Sequence, residues 1–575
     1  MKKIYSLLAI AVLALGAGNA MAQNLNETTT LWGQTITATN GTTQGSDIAL
    51  ARDGSGIYIL GSGAVNSESD QILYGTQAVT PGTIQDSNSG SNSLFFVKTD
   101  KDGNLLWAVN STDGDFTANS CYLAPTADGG AVLYLLARHT LSKQDRPVTI
   151  VDANGRATSF SDWGLVDGSN VYGAIVAKVS TDGAIEWTRL ITADTTPATG
   201  KTALTTQAIW TGGLAVDKAG NVFITGRNVR NLYLGDVVVP FHNDNDNPAN
   251  GGSIFLIKFD ANGNYAAHLT TGGEATKEAP LALSYKNGKL YLLALVNGIA
   301  GTDVTLGSAS VTAANANAAI TVASLNPDLS VNYLKYYACS LTGSALQTPF
   351  IDEINGTLWI AGKAKMAVDE LNVTTGSLAR AALLLKGDAA TGELTAGRAG
   401  TTAQEGDFSV LVNEDNKPYI FSHVLNKPLK VERLNAETLE TEDQAELYSS
   451  SSDVQGVAAD GNNVYLMFRN KNAGASIDNA FSNAALANFS CFVAGYKLPE
   501  KVSTAINSVR AEGEASLTVY GGNGVANIVA DKAQTVEIYS VSGACVARVN
   551  ATAGRNTVAL PQGVYIAAGS KIIVR

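Results

Sequence analysis

Residues 217–226 read Asp-Lys-Ala-Gly-Asn-Val-Phe-Ile-Thr-Gly, a tight turn followed by a strand centred on an aromatic residue. Glycine and asparagine supply the positive φ angles that a tight hairpin turn requires, and an aromatic residue between aliphatic neighbours suits the layer between two packed sheets. Six further copies of this turn and strand occur along the chain, centred on Tyr58, Tyr134, Tyr291, Trp359, Tyr419 and Tyr465. A short β element that occurs seven times predicts a repeat architecture.

A second element separates successive copies of the first: an apolar strand, a turn and another strand. Clear copies begin at Phe95–Lys98, Ile175–Lys178 and Phe255–Lys258, and each is followed by an Asp-Gly or Asn-Gly turn. Weaker copies begin at Ile320, Ala381, Leu429 and Cys491. The copy at Cys491 stops at Leu498-Pro499, before its final strand.

The missing final strand is present near the other end of the chain. Leu31–Ala38 resembles the closing strands that begin at Leu106-Trp107 and Glu186-Trp187. An N-terminal strand that completes the last repeat closes a ring, which protects the edges of the sheets. The apolar pattern has a period of two, and no segment after the N-terminal region has the period of an amphipathic helix. The sequence therefore predicts an all-β protein whose residues 23–500 form a seven-bladed β-propeller.

The N-terminal residues have the pattern of a secretory signal peptide. Lys2 and Lys3 precede the apolar stretch Ile4–Leu15, and Ala20-Met21-Ala22 gives a cleavage site before Gln23. Residues 1–22 are therefore predicted to be removed on export. No later segment has the roughly 18 unbroken apolar residues of a membrane-spanning helix, so we expect no integral membrane segment.

Charge and cysteine usage exclude several classes of function. The formal net charge is −12, and removal of Lys2 and Lys3 makes it −14. Such an acidic chain is a poor candidate for binding nucleic acid or anionic lipid. The cysteines lie far apart, which disfavours a disulfide scaffold or a Cys-ligated zinc site, although one long-range bridge remains open. They are at positions 121, 339, 491 and 545.

Four long insertions separate strands within the repeats, at residues 62–92, 140–173, 227–252 and 297–319. Because rigid scaffolds place function on their loops, these segments are the predicted binding surface. The third insertion contains His242-Asn243-Asp244-Asn245-Asp246-Asn247, in which Asp244 and Asp246 resemble the start of a calcium loop. The glycine and the closing glutamate of such a loop are missing. We therefore prefer to interpret the segment as a solvated polar insertion, and calcium is the one cofactor left open.

Sequence motifs of common enzyme classes are absent, including a P-loop, a dinucleotide fingerprint, an HExxH helix and a Gly-x-Ser-x-Gly elbow. The only histidines are His139, His242, His268 and His423. A histidine-based site would need these distant residues to meet near the ring axis, so the sequence predicts no catalytic residue. Carboxylate pairs across a ring cannot be identified from the sequence, which leaves glycoside hydrolysis open.

The turn and strand at residues 217–226 resemble the repeat of a bacterial β-propeller family that reads Asp-x-x-Gly-Asn-Val-Tyr-Val-Thr-Gly, which implies the propeller fold. Trp107 and Trp187, each after a glycine turn, are similar to the Gly-x-x-x-Trp repeats of quinone-dependent dehydrogenases and outer-membrane assembly propellers. In those repeats the tryptophan packs between blades. The resemblance therefore predicts an architectural role for both tryptophans and no quinone cofactor.

The C-terminal residues carry three further motifs: Val536–Gly543, then Leu560–Ile566, then Lys571–Arg575. In this order and position they resemble the type A C-terminal sorting domain of the type IX secretion system. The resemblance implies a small β-sandwich at residues 511–575 after a linker at 501–510. It also implies passage from the periplasm across the outer membrane of a Gram-negative bacterium, with secretion machinery as partner. A plain accessory domain at the cell surface is the alternative.

These patterns favour a secreted or surface-displayed propeller that binds an extracellular protein or glycan without catalysis. One alternative is a secreted polysaccharide hydrolase or lyase with carboxylates at the channel mouth. Another is a periplasmic assembly scaffold, which an export domain disfavours because such a scaffold needs no exit signal.

Overall fold

The computed structural model describes residues 24–574 apart from residues 66–69, 81–91, 140–146, 164–170, 195–206, 243–251, 274, 315–317, 341–345, 377, 379–380, 401–408, 413–416, 423–427, 449–451, 471–489, 500–516, 522–523, 531–532, 541–543 and 568–569. The predicted signal peptide and linker lie outside these residues. The chain forms two compact units, Met1–Asn507 and Ser508–Arg575. In the described part of the chain, no helix has the length and apolarity needed to span a membrane.

The first unit is built almost entirely of antiparallel strands. Its only helical segments in the described residues are two short 3₁₀ turns, Leu25–Glu27 and Asp369–Leu371. The strands are β1 (Thr29–Ala38), β2 (Gly41–Leu50), β3 (Ile57–Val65), β4 (Ile72–Tyr74), β5 (Gln77–Ala78), β6 (Asn92–Thr99), β7 (Leu105–Asp113), β8 (Asp115–Pro125), β9 (Ala131–His139), β10 (Val148–Val151), β11 (Ala157–Phe160), β12 (Val171–Val179), β13 (Ile185–Ala193), β14 (Ile209–Val216), β15 (Val222–Asn228), β16 (Leu232–Leu234), β17 (Val237–Val239), β18 (Ser253–Phe259) and β19 (Tyr265–Gly273). They continue with β20 (Ala275–Lys286), β21 (Lys289–Gly298), β22 (Asp303–Leu306), β23 (Ala309–Thr312), β24 (Ala318–Leu325), β25 (Val331–Tyr337), β26 (Gln347–Ile354), β27 (Thr357–Ala364), β28 (Ala367–Val368), β29 (Val373–Thr374), β30 (Ala381–Asp388), β31 (Leu394–Ala399), β32 (Ser409–Val412), β33 (Pro418–Ser422), β34 (Leu429–Leu434), β35 (Thr441–Tyr448), β36 (Ser452–Asp460), β37 (Asn463–Asn470) and β38 (Cys491–Lys497).

Within the described residues, seven sheets share a core of four antiparallel strands. We number them by their first strand: sheet 1 (β2-β3-β6-β7), sheet 2 (β8-β9-β12-β13), sheet 3 (β14-β15-β18-β19), sheet 4 (β20-β21-β24-β25), sheet 5 (β26-β27-β30-β31), sheet 6 (β32-β33-β34-β35) and sheet 7 (β36-β37-β38-β1). The seven predicted aromatic strands are the second strands of these sheets. The weaker copies at Ile320, Ala381 and Leu429 lie in third strands, as the sequence predicts.

Sheet 7 combines the two ends of the unit. β1 pairs antiparallel with β38 from Thr29 opposite Lys497 to Ile36 opposite Cys491. The prediction that Leu31–Ala38 completes the last repeat is therefore confirmed. Leu25 extends the closure, because its side chain is buried in the core of sheets 6 and 7 and its N–H donates to Asp443 Oδ2 at 2.7 Å.

The first strands of the seven sheets form a closed series. β2 contacts β8, β8 contacts β14, and the series continues through β20, β26, β32 and β36 back to β2. We call these first strands the inner strands. A ring of sheets that meet along their inner strands is the arrangement found in β-propellers.

The long insertions are folded differently from the loops that the sequence predicted. Each of the four contains a hairpin that pairs with the outer strand of the preceding sheet: β4-β5 with β1, β10-β11 with β7, β16-β17 with β13, and β22-β23 with β19. A fifth hairpin, β28-β29, touches the end of sheet 4 through a bridge between Cys339 and Val368. Part of each insertion therefore joins neighbouring sheets at the outer side of the ring, which corrects the view of these segments as loops throughout.

The tryptophans predicted to pack between blades do so. Trp107 of sheet 1 donates from Nε1 to the Thr181 carbonyl in the turn of sheet 2, at 3.0 Å. Trp187 of sheet 2 makes the same bond to Ala261 in sheet 3, at 3.1 Å. Each indole covers a glycine of that turn, because a Cβ at Gly263 would lie only 2.5 Å from Trp187 Cδ2. The tryptophans therefore hold one sheet against the next.

The second unit has two sheets. Its strands are β39 (Leu517–Gly521), β40 (Val525–Ala530), β41 (Gln534–Ser540), β42 (Cys545–Ala551), β43 (Gly554–Ala559), β44 (Gly563–Ala567) and β45 (Ser570–Val574). They form a three-stranded sheet, β39-β40-β43, and a four-stranded sheet, β42-β41-β44-β45. One apolar cluster contains residues of both sheets, including Ile528, Ile538, Tyr565 and Ile572.

All four cysteines are free thiols in the structure. Cys121, Cys339 and Cys491 are buried, and Cys545 is exposed. Burial raises the pKa of the Cys339 thiol to about 11, so this thiol is protonated at neutral pH. The three buried cysteines therefore behave as small core residues.

Candidate functional site

Charged side chains from several sheets converge where the inner strands end. Arg52 follows the inner strand of sheet 1 and donates from Nη2 to the carbonyl of Val216, the last residue of the inner strand of sheet 3, at 3.2 Å. Burial lowers the pKa of the Arg52 guanidinium. Asp217 opposes this lowering most strongly, followed by the Tyr285 side chain at the end of the inner strand of sheet 4. One side chain thus reaches from sheet 1 to sheet 3 past the end of sheet 2.

Sheets 4 and 5 add a second charged group at the same end of the inner strands. Lys286 is the last residue of β20, and its ammonium group interacts electrostatically with the carboxylate of Asp352 in β26. Burial nevertheless raises the pKa of Asp352 to about 6, with Lys286 opposing that rise. The adjacent Glu353 is buried, accepts from the Asn287 amide, and accepts from the Gly356 N–H at 2.6 Å.

Two cationic groups in this region lack a full set of partners. Arg52 Nε and Lys286 Nζ are both buried and without a hydrogen-bond partner among the described residues. A buried donor without a partner costs free energy, so such atoms in a native protein mark an ordered water or another polar group. We call Arg52, Tyr285, Lys286 and Asp352 the axial cluster.

A further carboxylate lies on the inner strand of sheet 1. Asp47 accepts from the Leu123 N–H of the inner strand of sheet 2 at 3.1 Å and from the Ile48 N–H at 2.9 Å. Burial raises the pKa of Asp47 to about 7, and the two backbone N–H groups oppose that rise. This carboxylate both joins two inner strands and is partly protonated at neutral pH.

The residues singled out in the sequence are placed as follows. Asp244 and Asp246, the predicted calcium ligands, lie outside the described residues, as does His423. His139 is buried and stacks on Trp163 with ring centroids 5.8 Å apart, which is a packing role. His268 Nδ1 lies 2.6 Å from the hydroxyl of Tyr265, and burial and the nearby His242 lower its pKa. Across the described ranges, no group of three or more His, Cys, Asp or Glu side chains could hold a metal ion.

Sequence reasoning missed the axial cluster. Arg52 directly precedes the recognised turn at Asp53-Gly54, and Lys286 directly precedes the turn at Asn287-Gly288. Both are therefore at equivalent places in the repeat, just before the turn that follows an inner strand. A comparison of that single position across the seven copies, combined with ring closure, is the signal that could have found them.

Comparisons with known proteins identify no family for the chain. No family model matches it, and no curated protein matches it. Among solved structures, it is similar to a protein of unknown function from Dyadobacter fermentans, with 11% identity over 67% of this chain and 95% of that one, at a TM-score of 0.35. It is also similar to PorZ of Porphyromonas gingivalis, described as a surface component of the type IX secretion system, with 11% identity over 93% of this chain and 82% of that one, at a TM-score of 0.26.

A third similar structure is the quinohemoprotein alcohol dehydrogenase of Comamonas testosteroni. It shares 11% identity over 84% of this chain and 78% of that one, at a TM-score of 0.35. With TM-scores below 0.5, these likenesses carry no argument about activity.

Proposed function

We propose that this chain is an exported binding protein whose first unit is a seven-bladed β-propeller and whose second unit is a sorting domain. The closed series of inner strands and the pairing of β1 with β38 support the propeller. The signal-peptide pattern at residues 1–22 and the three C-terminal motifs within 511–575 support export to the surface of a Gram-negative cell. The common apolar cluster of the two small sheets supports a β-sandwich for the second unit.

The first unit binds a protein or glycan at the axial cluster. The observation that carries this proposal is that Arg52 and Lys286, from different sheets, both lie at the end of an inner strand and each have a cationic nitrogen without a hydrogen-bond partner among the described residues. Concave sites with a few converging polar groups are typical of ligand-binding sites, and the ends of ring-shaped folds bring such groups together. The insertions, by contrast, are partly used in joining sheets.

A second candidate function, polysaccharide hydrolysis or elimination, is favoured by one observation. Burial raises the pKa of Asp352 to about 6 and that of Asp47 to about 7, so both carboxyl groups are partly protonated near neutral pH, as a general acid requires. The charges that act on Asp352 are those of Lys286 and Glu353, and the raised pKa of Asp47 comes from burial alone. The two carboxylates therefore do not form a coupled pair, and we prefer the binding function.

The test is to present the chain from residue 23 onward to a panel of glycans and extracellular proteins, with retention and release of reducing ends measured together. We expect retention without release. Arg52→Gln should weaken retention about tenfold, because a charge-assisted hydrogen bond is replaced by a neutral one. Arg189→Gln is the matched control, since this arginine lies on Trp187 at the junction of sheets 2 and 3.

Release of reducing ends that Asp352→Asn abolishes would replace the binding function with the enzymatic one. Retention that is unchanged in Arg52→Gln and in Lys286→Met would show that the ligand binds elsewhere on the ring.

A further inference from the structure

The four-stranded sheet of the second unit has one face in the core and one face open to solvent. On β44, Tyr565 and Ala567 are buried, whereas Val564 and Ile566 are 37% and 43% exposed. On β42, Val546 is 44% exposed. Tyr539 of β41 lies directly opposite Ile566 in the strand register and opposite Cys545, beside Val546. These residues, Tyr539, Val546, Val564 and Ile566, are called the apolar face.

The exposed side chains of β43, an edge strand of the other sheet, are mostly polar. On β43, in the three-stranded sheet, the exposed residues are Arg555, Thr557 and Ala559, while Asn556 and Val558 between them are half-buried. The Arg555 guanidinium donates to Asn527 of β40 at 3.1 Å. The exposed side chains of β44 are apolar and those of β43 are mostly polar although both strands have residues open to solvent, so exposure alone does not explain the apolar ones.

The motifs that carry the sorting-domain resemblance divide into residues with a structural role and residues without one. Val536, Ile538 and Tyr565 lie in the core, and the Tyr565 hydroxyl donates to the Pro561 carbonyl at 2.9 Å, which holds the Leu-Pro-Gln-Gly turn. Val564 and Ile566 alternate with these residues and are exposed. The need to fold explains the buried motif residues, but it does not explain the exposed Val564 and Ile566.

The composition of the apolar face indicates what kind of partner covers it. It is edged by polar groups on the same side of the sheet: the Glu537–Arg548 ion pair and a hydrogen bond from Thr535 to Asn550 at 2.9 Å. An apolar centre with a polar rim is the anatomy of a protein interface. A lipid bilayer would have to desolvate the ion pair at considerable cost.

The size of the apolar face indicates a transient partner and not a second copy of this chain. The apolar face, with its three aliphatic side chains 37–44% exposed and Tyr539 half-buried, offers roughly 300 Å² or less of apolar surface, whereas a stable dimer buries about 800 Å² on each partner. A small patch suits brief recognition followed by release, which is what an export signal requires.

We propose that the apolar face, Tyr539, Val546, Val564 and Ile566, is the surface by which the second unit docks on a folded protein of the export machinery that presents an apolar patch. This inference rests on the proposed sorting function of the second unit. It goes further by assigning recognition to one face of one sheet and the remaining motif residues to folding.

The test follows the full chain in a host with a type IX secretion apparatus. Four forms are compared: the unaltered chain, a chain without residues 505–575, the variant V564T/I566T, and the control T557S/A559T at exposed positions of β43. Threonine keeps the β-branched shape that strands favour while removing the apolar surface. Chain exposed to protease on intact cells or found in the medium is measured against chain retained in the periplasm.

We expect V564T/I566T to be exported about tenfold less than the unaltered chain, with an unchanged melting temperature, and T557S/A559T to be exported normally. If V564T/I566T melts early, Val546→Thr on the opposite edge of the same face replaces it. Normal export of the apolar-face variants while the 505–575 deletion is retained overturns the docking surface and leaves the sorting function intact. Normal export of the deletion overturns the sorting function and the docking surface with it. A dimer of the unaltered chain in sedimentation that V564T/I566T dissociates would show that a second copy is the partner, and would also overturn the inference.

Discussion

Two kinds of junction join neighbouring sheets of the ring, and they fill the same place in opposite ways. In the first kind an aromatic residue on the fourth strand of one sheet covers a glycine in the turn of the next; the pairs are Trp32 with Gly103, Trp107 with Gly183, Trp187 with Gly263, and Tyr333 with Gly392. In the second kind the fourth strand has alanine, and the turn has a buried leucine; the pairs are Ala267 with Leu329, and Ala396 with Leu439.

The backbone of the turn is the same in both kinds of junction. Gly263 has a φ of 75°, and Leu329 and Leu439 have φ angles of 69° and 61°. A leucine in this left-handed region costs roughly 1–2 kcal/mol relative to glycine, so its burial must offset that strain. The comparison shows that the large side chain comes from the fourth strand in one kind of junction and from the turn in the other, while the turn keeps its left-handed backbone.

The largest loss of stability is expected when both residues of one junction have large side chains. Gly263→Leu places a Cβ about 2.5 Å from Trp187 Cδ2 and adds left-handed strain. We expect a loss of about 4 kcal/mol in the free energy of unfolding, measured by urea denaturation. Leucine at Gly288, where a Cβ would meet no atom within 4 Å, is the control and should show the strain alone. Equal losses at the two positions would contradict the packing account.

The removal of the large partner has the next largest effect. Trp187→Ala opens a gap and removes the hydrogen bond to Ala261, and we expect a loss of about 3 kcal/mol because the side chain is half-buried. Trp187→Phe keeps most of the packing without the bond and should lose about 1 kcal/mol. A Trp187→Ala chain as stable as the unaltered one would mean that the indole does not hold the two sheets together.

Conversion of one junction type into the other sharpens the comparison. W187A/G263L reproduces the pair found at Ala267 and Leu329, so its loss should be about 2 kcal/mol, well below the sum of the two single losses. Denaturation of all three variants under one condition gives the coupling energy. Additive losses would show that the two kinds of junction are unrelated solutions.

The smallest predicted effect concerns a buried carboxylate at the junction of sheets 3 and 4, where the pair is Ala267 and Leu329. Glu278 accepts from the Ile254 N–H of sheet 3 at 3.0 Å, and burial raises its pKa to about 7 from 4.5. The folded chain therefore binds a proton more tightly than the unfolded chain, and stability falls as pH rises from about 4.5 to about 7. Glu278→Gln should remove this slope, measured by denaturation across pH. The change in the free energy of unfolding at pH 8 should be about 1 kcal/mol or less, because the substitution also removes the negative charge that acts on Arg227.

The corresponding carboxylate at a tryptophan junction gives the control. Asp115 of sheet 2 accepts from the Asn92 N–H of sheet 1 at 3.0 Å and is paired with Arg138. Asp115→Asn should destabilise the chain at pH 8, since it removes the anionic partner of Arg138. A slope that persists in Glu278→Gln, or that disappears in Asp115→Asn, would contradict the distinction between the two carboxylates.

The sequence predicts the strands and the ring closure because the signal for each lies within about ten neighbouring residues. The aromatic strands, the weak third strands and the role of Trp107 and Trp187 are of this kind. The pairing of Ala267 with Leu329 is invisible until it is known which turn lies beside which strand, since the two residues are 62 positions apart. The hairpins in the insertions were missed for a similar reason, because a strand of two to four residues has too short an apolar pattern to be recognised.

The axial cluster was beyond sequence reasoning for a geometric reason. Arg52 and Val216 are 164 residues apart and meet only because the ring places the ends of inner strands around one axis. Each residue by itself looks like an ordinary turn residue. The closure of the ring is therefore the fact on which both the junctions and the binding proposal depend.

A cross-link between the two ends of the ring tests that closure most directly. Thr29 and Lys497 are both exposed and lie opposite each other in the register of β1 and β38. In the variant T29C/K497C/C545S, mild oxidation should join residues 29 and 497, identified by a disulfide-linked peptide pair in mass spectrometry, and the chain should stay folded with a higher melting temperature. Two cysteines that stay free to react with an alkylating reagent while the chain is folded would contradict the closed ring.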